Sequence, residues 1–444
     1  MNRILSRPAG PSALRQRIPR KAAVLTLAVA CTALAACSSN GSGSATNSST
    51  ATSTPATSAS GAAATSPAAS TATGSTYVIG NISSITGPYA ASIGGTPQAI
   101  DAWTKYTNAH GGINGHPVKV IVLDDGSVPS KGIADAQELI SDHVMAIVGM
   151  VSNTFTSWEK LVDTAKIPVI GGQTQFGALQ YTDPDLFPTG TTTPALSVLD
   201  SAISVGKKSV ALPYCSEVPI CAAQVSSLAS QIKSDPALAP GASISYQGAV
   251  SASAPNYTAE CLAMQQAGAN AMYVVDGAAT TVRVVNDCAT QGFKPTVIGS
   301  GASADNTWLS DANFQDALVP QENFPWFSTA TAGAREFNDA LQTYDPGILT
   351  QPTYNANVAQ VWASLEVYAA AMTRANAGDN PTAADALNAM YALPAGFSIA
   401  GVTPPLTYTK GKANPDDRCY FQAEIQNGKW TVPGSGAAIC PSGS

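Results

Sequence analysis

Charge is scarce in this chain. Of its 444 residues only 11% are charged, 29 acidic against 22 basic. The dense basic surface that a phosphate backbone requires is missing, which excludes nucleic acid as a partner. Histidine is scarcer still, with three in all (His110, His116, His143), none close to a cysteine in sequence. No CxxC, HExxH or GxSxG occurs, so the spacing signatures of zinc sites, zinc hydrolases and nucleophile elbows are absent. "GKKS", Gly206 to Ser209, has the end of a phosphate loop, but Ser201 stands where its first glycine belongs, and the tetrad runs from helix into strand. Asp183 and Asp185 flank Pro184 in a polar turn and read as structural. The expectation is a binding protein with no catalytic residues, no metal and no cofactor.

What is present is apolar bulk. Hydrophobic residues make up 45% of the chain, enough for a large core and, at this length, for two lobes. Residues 1–36 carry six bases and no acid, followed by an apolar run from Ala22 to Ala36 that is short for a bilayer span. This is the layout of a secretory signal. It ends in "LAAC", which resembles the lipobox of bacterial lipoproteins and implies that Cys37 is the lipidated first residue after cleavage. Removing the leader takes six positive charges from a formal net charge of −7, leaving −13. Acyl chains would hold so acidic a protein at the extracytoplasmic face of the cell membrane. Residues 37–75, almost wholly Ser, Thr, Ala, Gly, Asn and Pro after Cys37, cannot bury enough apolar surface to offset ordering entropy and read as a flexible tether.

Beyond Cys31 and Cys37, six cysteines remain in an exported context, an even number that favours disulfides over metal. Sequence alone leaves many pairings open. Proximity favours Cys215 with Cys221, Cys261 with Cys288, and Cys419 with Cys440.

From Thr76 onward, β-branched runs alternate with amphipathic segments, the pattern of parallel sheets covered by helices. Strands are expected at "YVIGNI", "VKVIVL", "MAIVGM" and "IPVIGG", with helices over 96–109, 128–141 and 154–166. A second series follows: helix 193–205, strand 208–214, helix 220–233, strand 242–250, helix 256–268, strand 271–277, helix 279–291 and strand 296–301. Helices 332–344 and 358–376 come next, then a strand pair formed by "LTYT" and "CYFQAEIQNGKWTV", with Asn427-Gly428 as a hairpin turn. Gly111, Gly112 and Gly115 end the first helix and reverse the chain. Asp124 and Asp125 then fall at the carboxyl end of a strand, where a wound sheet keeps its ligand crevice. Aspartates there also cap helices and satisfy loop amides, so both roles are open. Trp103, spaced helically with Ile100 and Tyr106, reads as core; Trp158, Trp326, Trp362 and Trp430 are assigned to packing, with Trp308 unassigned.

The segments "NISSITGPYAASIGG", "TNAHGGINGHPVKVIVLDDGSVPSKGIADAQELI" and "AIVGMVSNTFTSWEKLVDTAKIPVIGG" resemble the first lobe of branched-chain amino-acid-type (type I) periplasmic binding proteins of ABC importers. "MQQAGANAMYVVDGAATTVRVVNDCATQGFKPTVIGSG", "NANVAQVWASLEVYAAAM" and "PPLTYT" with its hairpin are similar to the same family, in the same order, over roughly Tyr77 to Val432. The resemblance implies an α/β fold of two Rossmann-like lobes joined by a three-segment hinge. Residues 76–192 with 328–405 would form lobe I, and 193–327 with 406–444 lobe II. It also implies a small polar ligand (amino acid, amide or carboxylate), a permease partner and a monomer. The alternative function is a ligand-binding sensor or adaptor without transport.

In that family the loops after the third and fourth strands supply hydroxyls and amides to a ligand carboxylate. The matching positions are Ser152, Asn153 and Thr154, then Gly172, Gln173 and Thr174. "SNT" also opens a helix, whose free N–H groups suit an anion; capping of that helix by Ser152 or Asn153 is the simpler reading. The second lobe's matching loops hold Tyr214, Ser216, Glu217 and Val218, then Asp276 and Gly277, then Ala302 and Ser303. Where amino-acid binders place an acid for the ammonium group, "GSGASADN" offers none before Asp305, and Asp276 is the available substitute. Tyr89 is a further candidate for the cleft wall; following Gly87-Pro88, it reads equally as a turn-packing residue.

Overall fold

The computed structural model describes residues 72–172, 183, 185–217, 219–301, 303–399, 401–414 and 417–441. The leader and residues 37–71 of the tether, Cys37 among them, together with Gln173, Thr174, Val218 and Ala302, lie outside the described residues; the last tether residues are held rather than free, the Thr73 and Gly74 N–H groups donating to the Gly115 carbonyl at 3.0 and 2.9 Å.

Two parallel sheets are built as the alternation demands. In the first, β1 (Tyr77–Ser83) is followed by α1 (Ala90–Ile93), α2 (Thr96–Ala109), β2 (Val118–Asp124), α3 (Pro129–Ser141), β3 (Ile147–Val148), α4 (Phe155–Thr164), β4 (Val169–Ile170) and β5 (Leu186–Phe187). Its strand order is β2-β1-β3-β4-β5. Successive residues of β3 serve opposite faces: Val148 joins a core with Ile79, Trp103 and Trp362, whereas Ile147 joins Leu139, Phe155 and Trp158. A strand buried on both faces needs apolar side chains at consecutive positions, which is why these strands read as runs.

The second sheet takes α5 (Pro194–Ser204), β6 (Ser209–Cys215), α6 (Pro219–Ser234), β7 (Ser243–Val250), α7 (Thr258–Gln266), β8 (Ala271–Met272), α8 (Ala278–Thr290) and β9 (Thr296–Val297), ordered β7-β6-β8-β9. Beyond it, β10 (Leu318–Gln321) attaches through the parallel bridge Ile298–Leu318. Helices α9 (Ala332–Tyr344), α10 (Ala356–Ala375) and α11 (Ala383–Tyr391) return to the first part of the molecule, where α9 and α10 pack on α2. Strands β11 (Phe421–Gln426) and β12 (Lys429–Thr431) then pair antiparallel with β10 and each other. The positive φ of Asn427 and Gly428 makes the expected hairpin turn between them.

The chain passes between the two sheets along three segments that lie side by side. Asn323 donates its Nδ2–H to the Thr189 carbonyl at 2.7 Å, Phe324 N–H to the Val402 carbonyl at 3.4 Å, and Tyr408 its hydroxyl to the Pro188 carbonyl at 2.6 Å. These bonds stitch the crossings into one narrow bundle.

Several expectations need correction. "LTYT" does not pair with the closing hairpin; Leu406 makes an isolated bridge with Phe397, and β10 takes the predicted place beside β11. The short β5 and β10 and helix α11 carry too few residues for a periodic signal. Trp308 is fully buried against Phe314, a core residue of the second sheet, and Trp103, Trp158, Trp326 and Trp362 are likewise buried. Trp430 is half-buried, stacked on Phe327 and donating to Asn306 Oδ1 at 2.9 Å. At the first reversal a side chain on Gly112 would meet the His116 carbonyl at 2.0 Å, so glycine is required there for space as well as for φ.

The three disulfides form as proximity suggested: Cys215–Cys221, Cys261–Cys288 and Cys419–Cys440. Cys261 on α7 and Cys288 on α8 have Cα atoms 5.0 Å apart, within the range that neighbouring helices reach without distortion. No helix among the described residues is long and apolar enough to cross a membrane.

Candidate functional site

Strands β1 and β2 run in register to their ends, so Ser83 lies beside Asp124 and the chain leaves both strands at one edge. Strand β3 delivers residues 151–154 to the same edge through the bridge Ser83–Val151. Buried Asn81 secures this junction by donating to the carbonyls of Val148 and Gly149 at 2.9 and 2.8 Å.

Both aspartates are occupied by the protein. Asp124 accepts from Thr86 N–H at 3.1 Å, Thr86 Oγ1 at 2.6 Å and Gly126 N–H at 2.9 Å, with Lys131 3.7 Å away. Partial burial pushes its carboxyl up, but these donors and the lysine outweigh it and hold the group below its ordinary value. Asp125 is fully buried and accepts from four donors: Ser84 Oγ at 2.6 Å, Ser127 N–H at 2.8 Å, Ser152 Oγ at 2.5 Å and Thr154 Oγ1 at 2.8 Å. Bonds to a charged acceptor contribute about 1.5 to 3 kcal/mol each. Together they offset the cost of burying the charge.

This pairing corrects the reading of "SNT". The hydroxyls of Ser152 and Thr154 point to Asp125. The Asn153 N–H donates to Ser84 Oγ at 3.0 Å and the Thr154 N–H to Ser152 Oγ at 3.2 Å, so these amides are not free. Nor does either candidate cap α4, since Thr154 holds the cap position without a side-chain bond. Asn153 is half-buried, with Nδ2 donating to Ser127 Oγ at 3.4 Å and a buried Oδ1 that has no partner. Gly172, at φ +102°, packs on Met150, and its carbonyl accepts from Gln360 Nε2 at 3.1 Å.

The second sheet presents a differently provisioned edge. Tyr214, half-buried at the end of β6, bridges Val275, and the Cys215–Cys221 disulfide pins the loop carrying Ser216 and Glu217. Glu217 is exposed; hydrogen bonds from Ser251 Oγ at 2.7 Å and Ala252 N–H at 2.9 Å hold it below its ordinary value. Asp276 accepts from the Gly277 N–H at 2.6 Å through Oδ1, and the Thr280 side chain at the start of α8 bonds to the same carboxyl. Burial first, then the Glu217 charge, push the Asp276 carboxyl up. Gly277 is exposed and precedes α8. Ser303 is buried, its hydroxyl accepting from the Ser300 N–H at 2.7 Å, and so closes its own loop.

Tyr89 connects the two edges. It precedes α1 on the first sheet's side, yet after burial the main causes raising its hydroxyl pKa are the charges of Asp276 and Glu217 from the second. The geometry agrees: a side chain on Gly301, after β9, would meet Ala356, whose neighbour Asn355 donates to the Ser92 carbonyl in the Tyr89 segment at 2.9 Å.

Three residues of this region were not foreseen. Gln360 on α10 also donates to Glu322 Oε2, tying the second crossing to the Gly172 loop. Tyr273 is pushed up by burial and feels Glu322. Gln321, at the end of β10, is 3% exposed with neither amide atom hydrogen-bonded. The signal for Gln360 was in the sequence: Asn357, Gln360 and Ser364 form a polar stripe at helical spacing within an apolar helix, and all three are buried. Ser364 Oγ is 3.0 Å from Thr189 Oγ1, so this stripe faces the crossings.

A family model described as "Periplasmic binding protein" matches residues 76–429. Among characterised proteins, the Leu/Ile/Val-binding protein homolog 3 of Brucella melitensis biotype 1 is 31% identical over 74 residues, 17% of this chain and 20% of that relative. The match thus spans a fifth of the relative's length. Among solved structures, a branched-chain amino acid ABC transporter protein from Thermus thermophilus with bound valine superposes with a TM-score of 0.66 at 16% identity, covering 83% of this chain and 97% of that one. A solute-binding protein from R. palustris in complex with benzoate gives 0.62 at 16% identity, covering 83% and 98%.

Proposed function

Because this chain belongs to the periplasmic binding protein family and has its type I fold, we propose that it captures a small polar solute between its two sheets and delivers it to an ABC permease. The observation that carries this reading is the pair of parallel sheets joined by three stitched crossings, in a chain whose residues 76–429 match the family model. Residues 76–192 with 328–405 form one lobe and 193–327 with 406–444 the other. The three stitched crossings are the hinge on which they close, as in other two-lobed binding proteins. Affinity comes from contacts made in the closed state alone. Lipidation at Cys37 and the 37–75 tether keep a single copy of the protein near its permease on the extracytoplasmic face, a reading supported by the "LAAC" motif and the acidic mature charge.

Native mass spectrometry of the protein purified from its own membrane identifies the co-purified solute. Asn153→Ala and Gln173→Ala are each expected to weaken its binding at least tenfold, measured by calorimetry. Unchanged affinity in both rejects the cleft. Cys37→Ala is expected to release the protein into the medium; a variant still held in the membrane fraction refutes the anchor.

A further inference from the structure

The loop that follows β9 in the second lobe reaches the first lobe at the start of α10. A side chain on Gly301 would place its Cβ 2.6 Å from the Ala356 Cβ, well inside the distance at which two carbons pack. Gly301 is not among the glycines of positive φ, so its backbone would accept another residue. Glycine is needed there for space alone.

Both sides of this contact are held by their own lobes. Gly301 sits in a turn that Ser303 closes on itself: the buried hydroxyl accepts from the Ser300 N–H at 2.7 Å, and the Ser303 N–H donates to the Ser300 carbonyl at 3.0 Å. Ala356 is the first residue of α10, capped by the Asn355 side chain, which accepts from the Asn357 N–H at 3.0 Å. The Nδ2 groups of Asn355 and Asn357 both donate to the Ser92 carbonyl at 2.9 Å, which ties the helix start to α1. A helix of 20 residues packed on the first sheet moves as a body. Displacing Ala356 therefore displaces the first lobe.

Gln321 distinguishes a stop from a clasp. Its Cγ lies 3.9 Å from the same point, it is 3% exposed, and neither amide atom has a hydrogen-bond partner. A clasp gathers bonds across the surfaces it joins. Here a methyl group meets bare backbone beside a buried amide whose unmet bonds oppose the arrangement.

Resting on the two-lobe reading above, we infer that the contact of Gly301 with Ala356 is the mechanical stop of lobe closure, and that Gln321 beside it biases the ligand-free protein toward separation. Water reaches the amide once the contact parts, so the touching state carries a cost that opening removes. The stop also fixes how near the two strand-end edges come. Residue 301 thereby bounds the thickness of the enclosed guest through the hinge, without touching it.

Nitroxide labels on non-natural side chains at Lys160 on α4 and Lys233 on α6, both exposed, report the separation of the lobes in the whole protein by double electron–electron resonance. In the protein as purified, Gly301→Ala and Gly301→Val should remove the shortest distances of the distribution, valine more than alanine. Adding Ala356→Gly to Gly301→Ala should restore them, because the obstructing methyl is only moved to the other side. After exhaustive dialysis, Gln321→Leu should raise the share of short distances above that of the wild type. Wild-type distances in both Gly301 variants overturn the stop, as does a Gly301→Ala distribution that Ala356→Gly leaves unrestored. If valine at 301 prevents folding, the alanine variant and its rescue decide alone. A Gln321→Leu distribution equal to the wild type overturns the bias. One fixed distance in every protein overturns the inference together with the hinge, while a solute found by native mass spectrometry leaves the cleft standing.

Discussion

The two sheet edges that face each other were provisioned by the same kind of sequence, short polar loops after apolar strands, yet they are finished in opposite ways. On the first edge a single buried carboxylate, Asp125, gathers three hydroxyls and one amide, and each donor is supplied by a different position of the chain. On the second, Gln321 is buried and keeps a whole amide unpartnered. The bridges differ as well: among the described residues all three disulfides lie on elements of the second sheet or the closing hairpin, and the first sheet's elements hold none. The difference teaches that one edge is a self-satisfied platform held by hydrogen bonds. The other keeps an unpartnered amide at Gln321 and has one strand-end loop, that of Ser216 and Glu217, pinned by a disulfide.

The largest effect should come from removing the platform's centre. Asp125→Ala leaves the buried Ser84, Ser152 and Thr154 hydroxyls and the Ser127 N–H without their acceptor. We expect a loss of about 3 to 5 kcal/mol in urea unfolding at neutral pH. Asp125→Asn should cost less, because one oxygen acceptor remains. An unchanged unfolding midpoint in Asp125→Ala would mean that the loops hold themselves, and the contrast between the edges would disappear.

A smaller effect of opposite sign tests the second edge. Gln321 is buried without partners, so Gln321→Leu removes a desolvation cost and adds apolar contact; the free protein should gain about 1 kcal/mol. Destabilisation by Gln321→Leu would show that the amide is already satisfied, and the second edge would then resemble the first.

How far this asymmetry was legible depends on the range of the interactions that make it. The sheets were readable because strand and helix periods are local, and helices α2 and α9 fall on 96–109 and 332–344 as expected. The disulfides followed from proximity in an exported chain. The strand-end loops were placed at the right edge by the same logic. What could not be read is the direction of their side chains. Ser152 and Thr154 look like ligand donors until β2 and β3 bring Asp125, 27 and 29 residues away, behind them. Gln321 and Glu322 lie in a crossing whose strand is four residues long, too short for any period to announce it. Leu406 was misassigned because Leu-Thr-Tyr-Thr, with two β-branched residues and an aromatic, reads as a strand whatever partner is near, and the partner's place had gone to β10.

The finest test asks whether the edges truly sense each other. Tyr89 is raised above the ordinary tyrosine value by burial and then by the charges of Asp276 and Glu217, because a nearby carboxylate disfavours the phenolate. Neutralising that carboxylate removes the repulsion, so Tyr89 should titrate at lower pH in Asp276→Asn than in the wild type, with a smaller shift in the same direction for Glu217→Gln. Ring-labelled tyrosine followed by NMR resolves the signal, and Tyr89→Phe identifies it among the 14 tyrosines of the chain. Salt should shrink the Glu217 effect more than the Asp276 effect, since exposed charges are screened first. If Tyr89 titrates identically in all three proteins, its ring does not look across the gap. The two edges would then be separate surfaces, and the second edge would need another wall to close upon.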